Sequence, residues 1–317
     1  MKKIKIYSPL FLAILMYFSC SHSENGGLET VDIIRVQMPS QINQTRVGVV
    51  TSEGLDLHFS WNTIDLMHFY AQQNLNGLIL KDLGESYVTN ISEDKQCCEF
   101  EIERPASFDK IAPYSVFGIT GMPSTFVDGK VWIYTYVRRS TLANFSAPMW
   151  FRADIGYSFP NVEAKHIGTY ELIHIKNTSN NPIVFKLKDY EAEEKWYYVN
   201  AAYIPETGEV INNMAPVETT GQKVEAVIKI EPNADGTLIS WYIPNGNKIK
   251  DVRIVAEIDG TVVKSANTKS SDVQLQVGHA YHMYATWYGK ELRFENEGDD
   301  YPDNDDGELD DVPGYEL

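Results

Sequence analysis

The feature that most constrains the fold is a period-two alternation of apolar side chains, which returns in short segments along the chain. Successive side chains of a β-strand point to opposite faces. The alternation over 280–287 therefore predicts a strand whose Tyr281, Met283, Ala285 and Trp287 face lies in the core. The same period is found at 55–61, 99–103, 131–137, 170–175 and 224–230. A helical period is weak and confined to residues 63–74, so the chain is predicted to be all-β.

Tight-turn dipeptides separate the alternating segments. Asp259 and Gly260 can both take the positive φ that a two-residue hairpin turn requires, and they predict a hairpin over 254–263. Gly289 predicts the turn of a closing hairpin over 278–294. Similar dipeptides lie at 76–77, 128–129, 207–208, 235–236 and 245–246. Short strands at this spacing are typical of β-sandwiches.

The N-terminus carries a predicted export signal. Three lysines within the first five residues precede a nine-residue apolar run at 10–18, which is too short to cross a bilayer as a helix. The run ends at a serine followed by Cys20, which resembles the lipobox of bacterial lipoproteins, where the cysteine becomes the acylated N-terminus. We predict a signal peptide at 1–19, lipid attachment at Cys20 and a flexible tether at 20–29. The alternative is an ordinary secretory signal with an incidental cysteine.

The remaining length suffices for two domains of about 150 residues each. An unpatterned polar stretch at 161–166 predicts the boundary, which gives an N-terminal β-sandwich at 30–163 and a C-terminal one at 164–296. An acidic tail follows at 297–317. Residues 295–317 carry eleven acids and no base, in a chain of net charge −17. Self-repulsion predicts that this tail is disordered.

The sequence contains no motif of a familiar catalytic or metal site. It lacks a His-Glu-x-x-His pair, a Gly-x-Ser-x-Gly turn, a phosphate-binding glycine loop and a dinucleotide fingerprint. The Asp-rich tail does not fit a calcium loop, because Pro302 and Pro313 would occupy its first and last ligand positions. No stripe of Lys and Arg interleaved with aromatics points to nucleic acid. We therefore expect no enzyme activity, no metal, no cofactor and no nucleic-acid partner.

Several segments resemble fimbrillin-like lipoproteins of Gram-negative anaerobes. The closing segment, Gly278-His-Ala-Tyr followed by Thr286-Trp-Tyr-Gly-Lys-Glu-Leu-Arg-Phe294, is similar to the C-terminal signature of that family. Supporting similarities lie at Thr45 and Arg46, at 59–65, at 112–118, at 169–177 and at 240–246. Together they span most of residues 30–294.

The resemblance implies two tandem β-sandwich domains of the fimbrillin type in a non-enzymatic lipoprotein. It implies a lipid anchor in the cell outer membrane and exposure at the cell surface. Such a protein is an adhesin, or an accessory or anchor component of fimbriae. It acts through β-strand complementation with other fimbrial subunits, or it binds host or bacterial surface ligands. Pilins of this family lose their lipid and first strand to a protease that cuts after a basic residue, which makes Arg35 and Arg46 the possible processing positions.

The acidic tail departs from the pattern of a polymerising pilin. A donor strand is apolar at alternate positions, whereas this tail is rich in Asp and is interrupted by Pro302 and Pro313. The tail therefore favours an adhesin or anchor that retains its lipid. The alternative function is a glycan-binding surface lipoprotein of a polysaccharide-uptake system. That alternative depends on exposed aromatic rings, and the alternation at 196–198 and 241–242 places at least one ring of each segment on an outer face.

Overall fold

The structure is a computed structural model of the chain. It describes residues 31–39, 51–53, 56–75, 77–156, 160–212, 226–271, 274–295 and 310–311, and for 51–53, 56–58, 136 and 310–311 it describes the backbone alone. All of them belong to the compact unit Val31–Leu317. The predicted signal peptide lies outside the described residues, as does most of the acidic tail. Within the described ranges, no helix is both long and apolar enough to span a membrane.

The described residues form β-strands and one short 3-10 helix, which confirms the all-β prediction. The strands of the first half are β1 (Val31–Gln37), β2 (Thr51–Glu53), β3 (Asp56–His58), β4 (Leu66–Asn74), β5 (Leu78–Ile91), β6 (Cys97–Glu103), β7 (Tyr114–Thr120), β8 (Ser124–Val127), β9 (Lys130–Tyr136), β10 (Arg138–Thr141), β11 (Met149–Ile155), β12 (Asn161–Glu163) and β13 (Lys165–His166). The 3-10 helix, Leu142–Asn144, follows β10.

The second half continues the same pattern of short strands. They are β14 (Thr169–Asn177), β15 (Ile183–Glu191), β16 (Asn200–Ile204), β17 (Glu209–Asn212), β18 (Val227–Ile230), β19 (Ala234–Tyr242), β20 (Arg253–Ile258), β21 (Thr261–Lys264), β22 (Ala280–Trp287), β23 (Leu292–Phe294) and β24 (Asp310–Asp311).

The largest sheet has eight strands in the order β12-β1-β6-β5-β4-β7-β11-β13. At one end, β1 pairs antiparallel with β6 and parallel with β12. At the other end, β11 pairs with β13. Because β12 and β13 follow each other in the chain, residues 161–166 connect the two ends of this sheet.

Three further sheets of four or more strands, and the two-stranded pairing of β2 with β3, complete the fold of the described residues. The central sheet has the order β10-β19-β14-β22-β23, and the two others are β18-β15-β20-β21 and β17-β16-β9-β8. Strands β9 and β10, from the first half of the chain, pair with β16 and β19 from the second half. Strand pairing thus crosses residue 164 in two places. The domain boundary expected there stays a prediction.

The central sheet lies between two apolar cores. On β14, Leu172 belongs to the first core, whereas its neighbour Ile173 belongs to the second. On β19, Ile239 and Leu238 divide in the same way. The first core is completed by the eight-stranded sheet and the second by the β15–β20 sheet. A sheet packed on both faces buries nearly every side chain, which is what parallel strands such as β14 and β22 require.

Strand β22 is buried at every position. The predicted core face is confirmed, because Tyr281, Met283, Ala285 and Trp287 all belong to the second core. The opposite face is buried as well: His282 is 0% exposed. The alternation along β22 predicted one buried face, but it did not predict that the face with His282 is buried too.

The predicted hairpins are confirmed. Asp259 (φ 49°) and Gly260 (φ 82°) form the turn between β20 and β21, and Gly289 (φ 84°) lies in the turn between β22 and β23. Positive φ at both turn residues matches the twist of the flanking strands.

The weak helical period at 63–74 is wrong, because Leu66–Asn74 is strand β4. This strand pairs with β5 on one side and β7 on the other. Met67, Phe69, Ala71 and Gln73 are all buried on one face, which is the period of two that a strand requires. Tyr70 is buried on the opposite face. Together with Met67 and Ala71 it gave the sequence apolar residues at helical spacing.

Gly168, which precedes β14, is predicted to be far less tolerant of alanine than Gly208. Both have positive φ (77° and 71°), but a Cβ at Gly168 would lie 2.7 Å from the Trp241 ring and from the Tyr242 carbonyl oxygen. At Gly208, no described residue other than its chain neighbours lies within 4 Å of such a Cβ. We expect Gly208→Ala to lower the free energy of unfolding by about 1–2 kcal/mol through backbone strain alone. Gly168→Ala should cost about 1–3 kcal/mol more through overpacking. Urea denaturation measures both, and equal losses would contradict the assigned clash.

Candidate functional site

The first candidate site is the β1 slot, defined as the position of β1 between β6 and β12. Ile34, Val36 and Met38 are buried in the first core at 0–1% exposure. Burying each such side chain contributes about 1.5–3 kcal/mol. The backbone pairs with β6 over all of residues 31–37 and with β12 over 35–37. A single strand near the N-terminus therefore completes both the sheet and the core.

Arg35 lies inside this slot. Its backbone N–H donates to the Pro160 carbonyl oxygen at 3.2 Å. Its side chain points away from the core and forms an ion pair with Glu99, with 2.5 Å between Nη2 and Oε1. The guanidinium and its hydrogen bond hold the pKa of Glu99 below its usual range. The peptide bonds on either side of Arg35 are thus part of a hydrogen-bonded ladder.

The structure describes one of the three predicted site residues. Cys20 and Arg46 lie outside the described residues, so lipid attachment and processing after Arg46 stay predictions. Processing after Arg35 also stays a prediction.

The outer edge of β22 is a second candidate site. Strand β23 pairs with its C-terminal part, at 285–287, and β24 pairs with Tyr281 and His282. Strand β24 consists of Asp310 and Asp311 from the acidic tail. These two residues are paired, although the tail was predicted to be disordered, because backbone pairing with an edge strand does not depend on side-chain type. The rest of the tail lies outside the described residues.

The aromatic segments proposed as glycan-binding platforms lie mostly in the interior. Trp196, Trp241 and Tyr242 are fully buried, and Tyr197 is 3% exposed. The expectation that each segment places a ring on an outer face is wrong for 241–242, because the central sheet packs on both faces. For 196–198, Tyr198 alone is half-buried. Exposed rings do occur at Tyr87, on β5, and at Tyr288, in the turn between β22 and β23.

Two histidines that the sequence separates by 108 positions meet on the central sheet. His174 Nε2 lies 2.7 Å from His282 Nδ1, and the rings are stacked with their centroids 5.0 Å apart. Thr237 Oγ1 lies 3.0 Å from His174 Nδ1. Burial, assisted by the nearby His282, lowers the pKa of His174 to about 3. His174 is therefore neutral at physiological pH. No sequence signal indicated the pair, because the contact depends on the parallel pairing of β14 with β22.

A buried carboxyl group lies on the opposite face of β14. Both Glu171 oxygens accept hydrogen bonds, from the hydroxyls of Tyr190 and Tyr242. Trp196 Nε1 donates in turn to the Tyr242 hydroxyl at 2.9 Å. Burial raises the pKa of Glu171. The alternation of 170–175 places Glu171 on the same face as Ile173 and Ile175, so this burial could have been predicted from the sequence.

These clusters are structural in character. Within the described ranges, no three His, Cys, Asp or Glu side chains lie close enough to hold a metal ion together. The side chains of His174 and Glu171 face the cores, and each forms hydrogen bonds with hydroxyl groups inside the protein. These buried clusters therefore stabilise the fold. The candidate interaction sites are the strand edges, where backbone N–H and C=O groups can pair with another strand.

Comparison with known proteins gave matches among solved structures. No family model matches the chain, and no curated protein matches it. A candidate cell adhesion protein from Bacteroides ovatus is 12% identical, with 83% of this chain and 94% of that chain covered and a TM-score of 0.42. A candidate cell adhesion protein from Bacteroides uniformis is 10% identical, with 86% and 97% covered and a TM-score of 0.43.

A third similar structure is the tip fimbrial protein Mfa3 from Porphyromonas gingivalis, in a C-terminally truncated form. It is 9% identical, with 84% of this chain and 97% of that chain covered and a TM-score of 0.31. All three names refer to adhesion or to fimbriae.

Buried neutral histidines predict that the protein loses stability in acid. Burial lowers the pKa of His166 to about 3, and its Nδ1 lies 2.7 Å from the Tyr170 hydroxyl. An unfolded histidine takes up its proton near pH 6.5. Between pH 6.5 and about 3 the unfolded state therefore binds one more proton at this site, and stability falls by up to about 1.4 kcal/mol per pH unit.

The substitution His166→Asn keeps a polar atom near the Nδ1 position and removes the titration. We expect the free energy of unfolding of this variant to decline less steeply between pH 6 and pH 4.5, by about one proton, as measured by urea denaturation at several pH values. The control is His68→Asn, at a half-buried histidine whose Nε2 lies 2.7 Å from Asp82 Oδ1. Parallel pH profiles for His166→Asn and the unmodified protein would show that His166 is not a neutral buried group.

Proposed function

We propose that this chain is a non-enzymatic cell-surface lipoprotein, an adhesin or an accessory or anchor component of fimbriae, which acts through β-strand complementation. The observation that carries the proposal is the β1 slot. One strand near the N-terminus completes an eight-stranded sheet and buries Ile34, Val36 and Met38. A strand of this kind can be replaced by one from another protein without rearrangement of the remaining sheet.

The slot has two edges. Release of β1 would expose the backbone groups of β6 along its length and those of β12 at 161–163. It would also uncover the part of the first core beneath Ile34 and Val36. An incoming strand would thus gain backbone hydrogen bonds and pockets for alternate apolar side chains, which are the two elements of β-strand addition.

The position of the cleavage decides whether the slot empties. Cleavage after Arg35 would leave Val36 and Gln37 in the ladder between β6 and β12. Cleavage after Arg46 would separate all of β1 from the body. Of the two predicted positions, Arg46 is therefore the one that fits complete release.

The tail supports an anchor or adhesin more than a polymerising subunit. Asp310 and Asp311 pair with β22 of the same chain. Neither residue is apolar, whereas a slot such as that of β1 takes apolar residues like Ile34 and Val36, which are fully buried. An acidic strand of this composition fits an edge that is capped within the molecule. We propose that the lipid at Cys20 is retained and that, in this uncleaved form, an incoming strand displaces β1 from the slot while β1 stays attached to the chain.

The form of the protein released from native cells tests the anchor proposal. We expect one acylated species that begins at Cys20, measured by intact mass, and no ladder on unboiled gels. The Cys20→Ala variant should appear in the soluble fraction. A lipid-free chain that begins after Arg35 or Arg46, together with an unboiled ladder, would instead identify a processed structural subunit.

Strand complementation is tested separately with a synthetic β1 peptide. In a chain whose residues 40–46 are replaced by a specific protease site, cleavage would leave β1 held by pairing alone. We expect a labelled peptide of residues 30–39 to exchange into the slot, as measured by retention on size exclusion. A matched peptide with Ile34→Asp and Val36→Asp should fail to exchange. Equal incorporation of both peptides would contradict the role assigned to the apolar pockets.

A further inference from the structure

A part of β5 presents an open edge. This strand has 14 residues. It pairs with β4 from Leu78 to Tyr87, but its pairing with β6 covers only residues 88–91. Within the described part of the chain, no strand pairs with the other edge at 78–82. A bulge between Asp82 and Gly84 ends the regular segment. Residues 78–82 are called the β5 edge below.

The β5 edge is apolar and exposed. Leu78 is 50% exposed and Ile79 is 37% exposed, and Leu75 in the adjoining turn is 52% exposed. Exposed apolar edge strands invite pairing with other chains and are normally covered or charged. Here three exposed aliphatic side chains lie beside a short stretch of unpaired backbone. Unpaired backbone and apolar side chains are what strand addition uses.

A neighbouring loop presents a further apolar side chain. Ile111, in the loop between β6 and β7, is 81% exposed. The loop is held to β4 by Gln73, whose Nε2 donates to the carbonyl oxygens of Asp109 and Ala112, both at 3.3 Å, and whose Oε1 accepts from the Asp109 N–H at 2.7 Å. Gln73 is also the register partner of Ile79. Ile111 and Ile79 are therefore placed on either side of the same buried anchor.

Hydrogen bonds hold the backbone of the Ile111 loop. Asp109 Oδ1 accepts from the backbone N–H groups of Ile111 at 2.9 Å and of Ala112 at 3.0 Å. Arg104 Nη1 donates to the Lys110 carbonyl oxygen at 2.8 Å. These contacts fix the backbone around an isoleucine that points into solvent. Such preorganisation lowers the entropy cost of binding a partner.

Two lysines add a charge preference. Lys81 lies on the β5 edge and Lys110 lies next to Ile111; both are exposed, and within the described residues neither forms an ion pair. They are local positive charges in a chain whose net charge is −17. We propose that the β5 edge and the Ile111 loop form a strand-addition site for an extended segment of another protein that is apolar opposite Leu78–Leu80 and acidic opposite Lys81.

A second copy of this chain is a poor occupant. Antiparallel self-pairing centred on Ile79 would place Gly77, and no acid, opposite Lys81. A pairing centred on Leu80 would place Asp82 opposite Leu78, and one centred on Lys81 would bring two lysines together. Like charges placed directly opposite each other destabilise a sheet. A bilayer is also a poor occupant, because lipid cannot satisfy the free N–H and C=O groups of the β5 edge. An acidic, apolar, extended peptide satisfies both the backbone and the lysines.

The test uses the mature chain carrying Cys20→Ala and two labelled peptides, Ser-Thr-Glu-Val-Val-Val-Thr-Ser and the same peptide with Lys in place of Glu. Fluorescence anisotropy should show saturable binding of the acidic peptide, at least tenfold tighter than that of the basic peptide. The variants Ile79→Asp and Ile111→Asp should each weaken binding at least tenfold. Ile64→Asp, an equally conspicuous exposed isoleucine before β4, should leave it unchanged. Lys81→Glu should reverse the preference between the two peptides.

A further peptide, N-methylated at alternate backbone amides, separates strand addition from simple apolar contact. Loss of its binding supports the proposal, and unchanged binding overturns it. Absence of saturable binding to the acidic peptide also overturns it. Two other results assign the surface to a different partner and overturn the proposal: an Ile111-dependent association with vesicles of phosphatidylcholine and phosphatidylglycerol, or a concentration-dependent dimer that Ile79→Asp abolishes.

Discussion

The parallel pairing of β14 with β22 is the contact on which both cores depend. The two strands pair in register over residues 170–177 and 280–287. One face of the resulting sheet supplies Leu172 and Ile239 to the first core, and the other supplies Ile173 and Met283 to the second. Since a single sheet contributes to both cores, a substitution that disrupts this pairing would destabilise both of them. The buried polar groups at Glu171 and His174 lie here too, each satisfied by side chains of neighbouring strands.

Many of the strands could be predicted from local pattern, because apolar and polar residues alternate along a strand that is buried on one face. The hairpin at Asp259 and Gly260 could be predicted for a similar reason, since positive φ at both turn residues restricts the residue types. Strand β4 was missed as a strand because Tyr70 is buried on the face opposite Phe69. When both faces of a strand are buried, the pattern no longer distinguishes a strand from a helix.

The interaction edges were harder to predict, because edges are a property of pairing and not of composition. Nothing local in 78–82 shows that β6 leaves β5 after Phe100. The role of Gln73 in holding the Ile111 loop likewise needs two segments that the chain separates. The pair of His174 and His282 is a third example. In the last two cases the deciding contact joins residues at least 30 positions apart, which single-sequence periodicity cannot register.

The long sequence separation between β14 and β22 also bears on how the protein acquires its structure. Tyr170 pairs with Ala280, so more than a hundred residues must be available before the middle of the molecule can form. Folding rates fall as contacting residues become more distant along the chain. During synthesis, neither core can close until nearly the entire chain has been made. A nascent chain of this type keeps its apolar segments unpacked for most of its elongation, which is the state that chaperones bind.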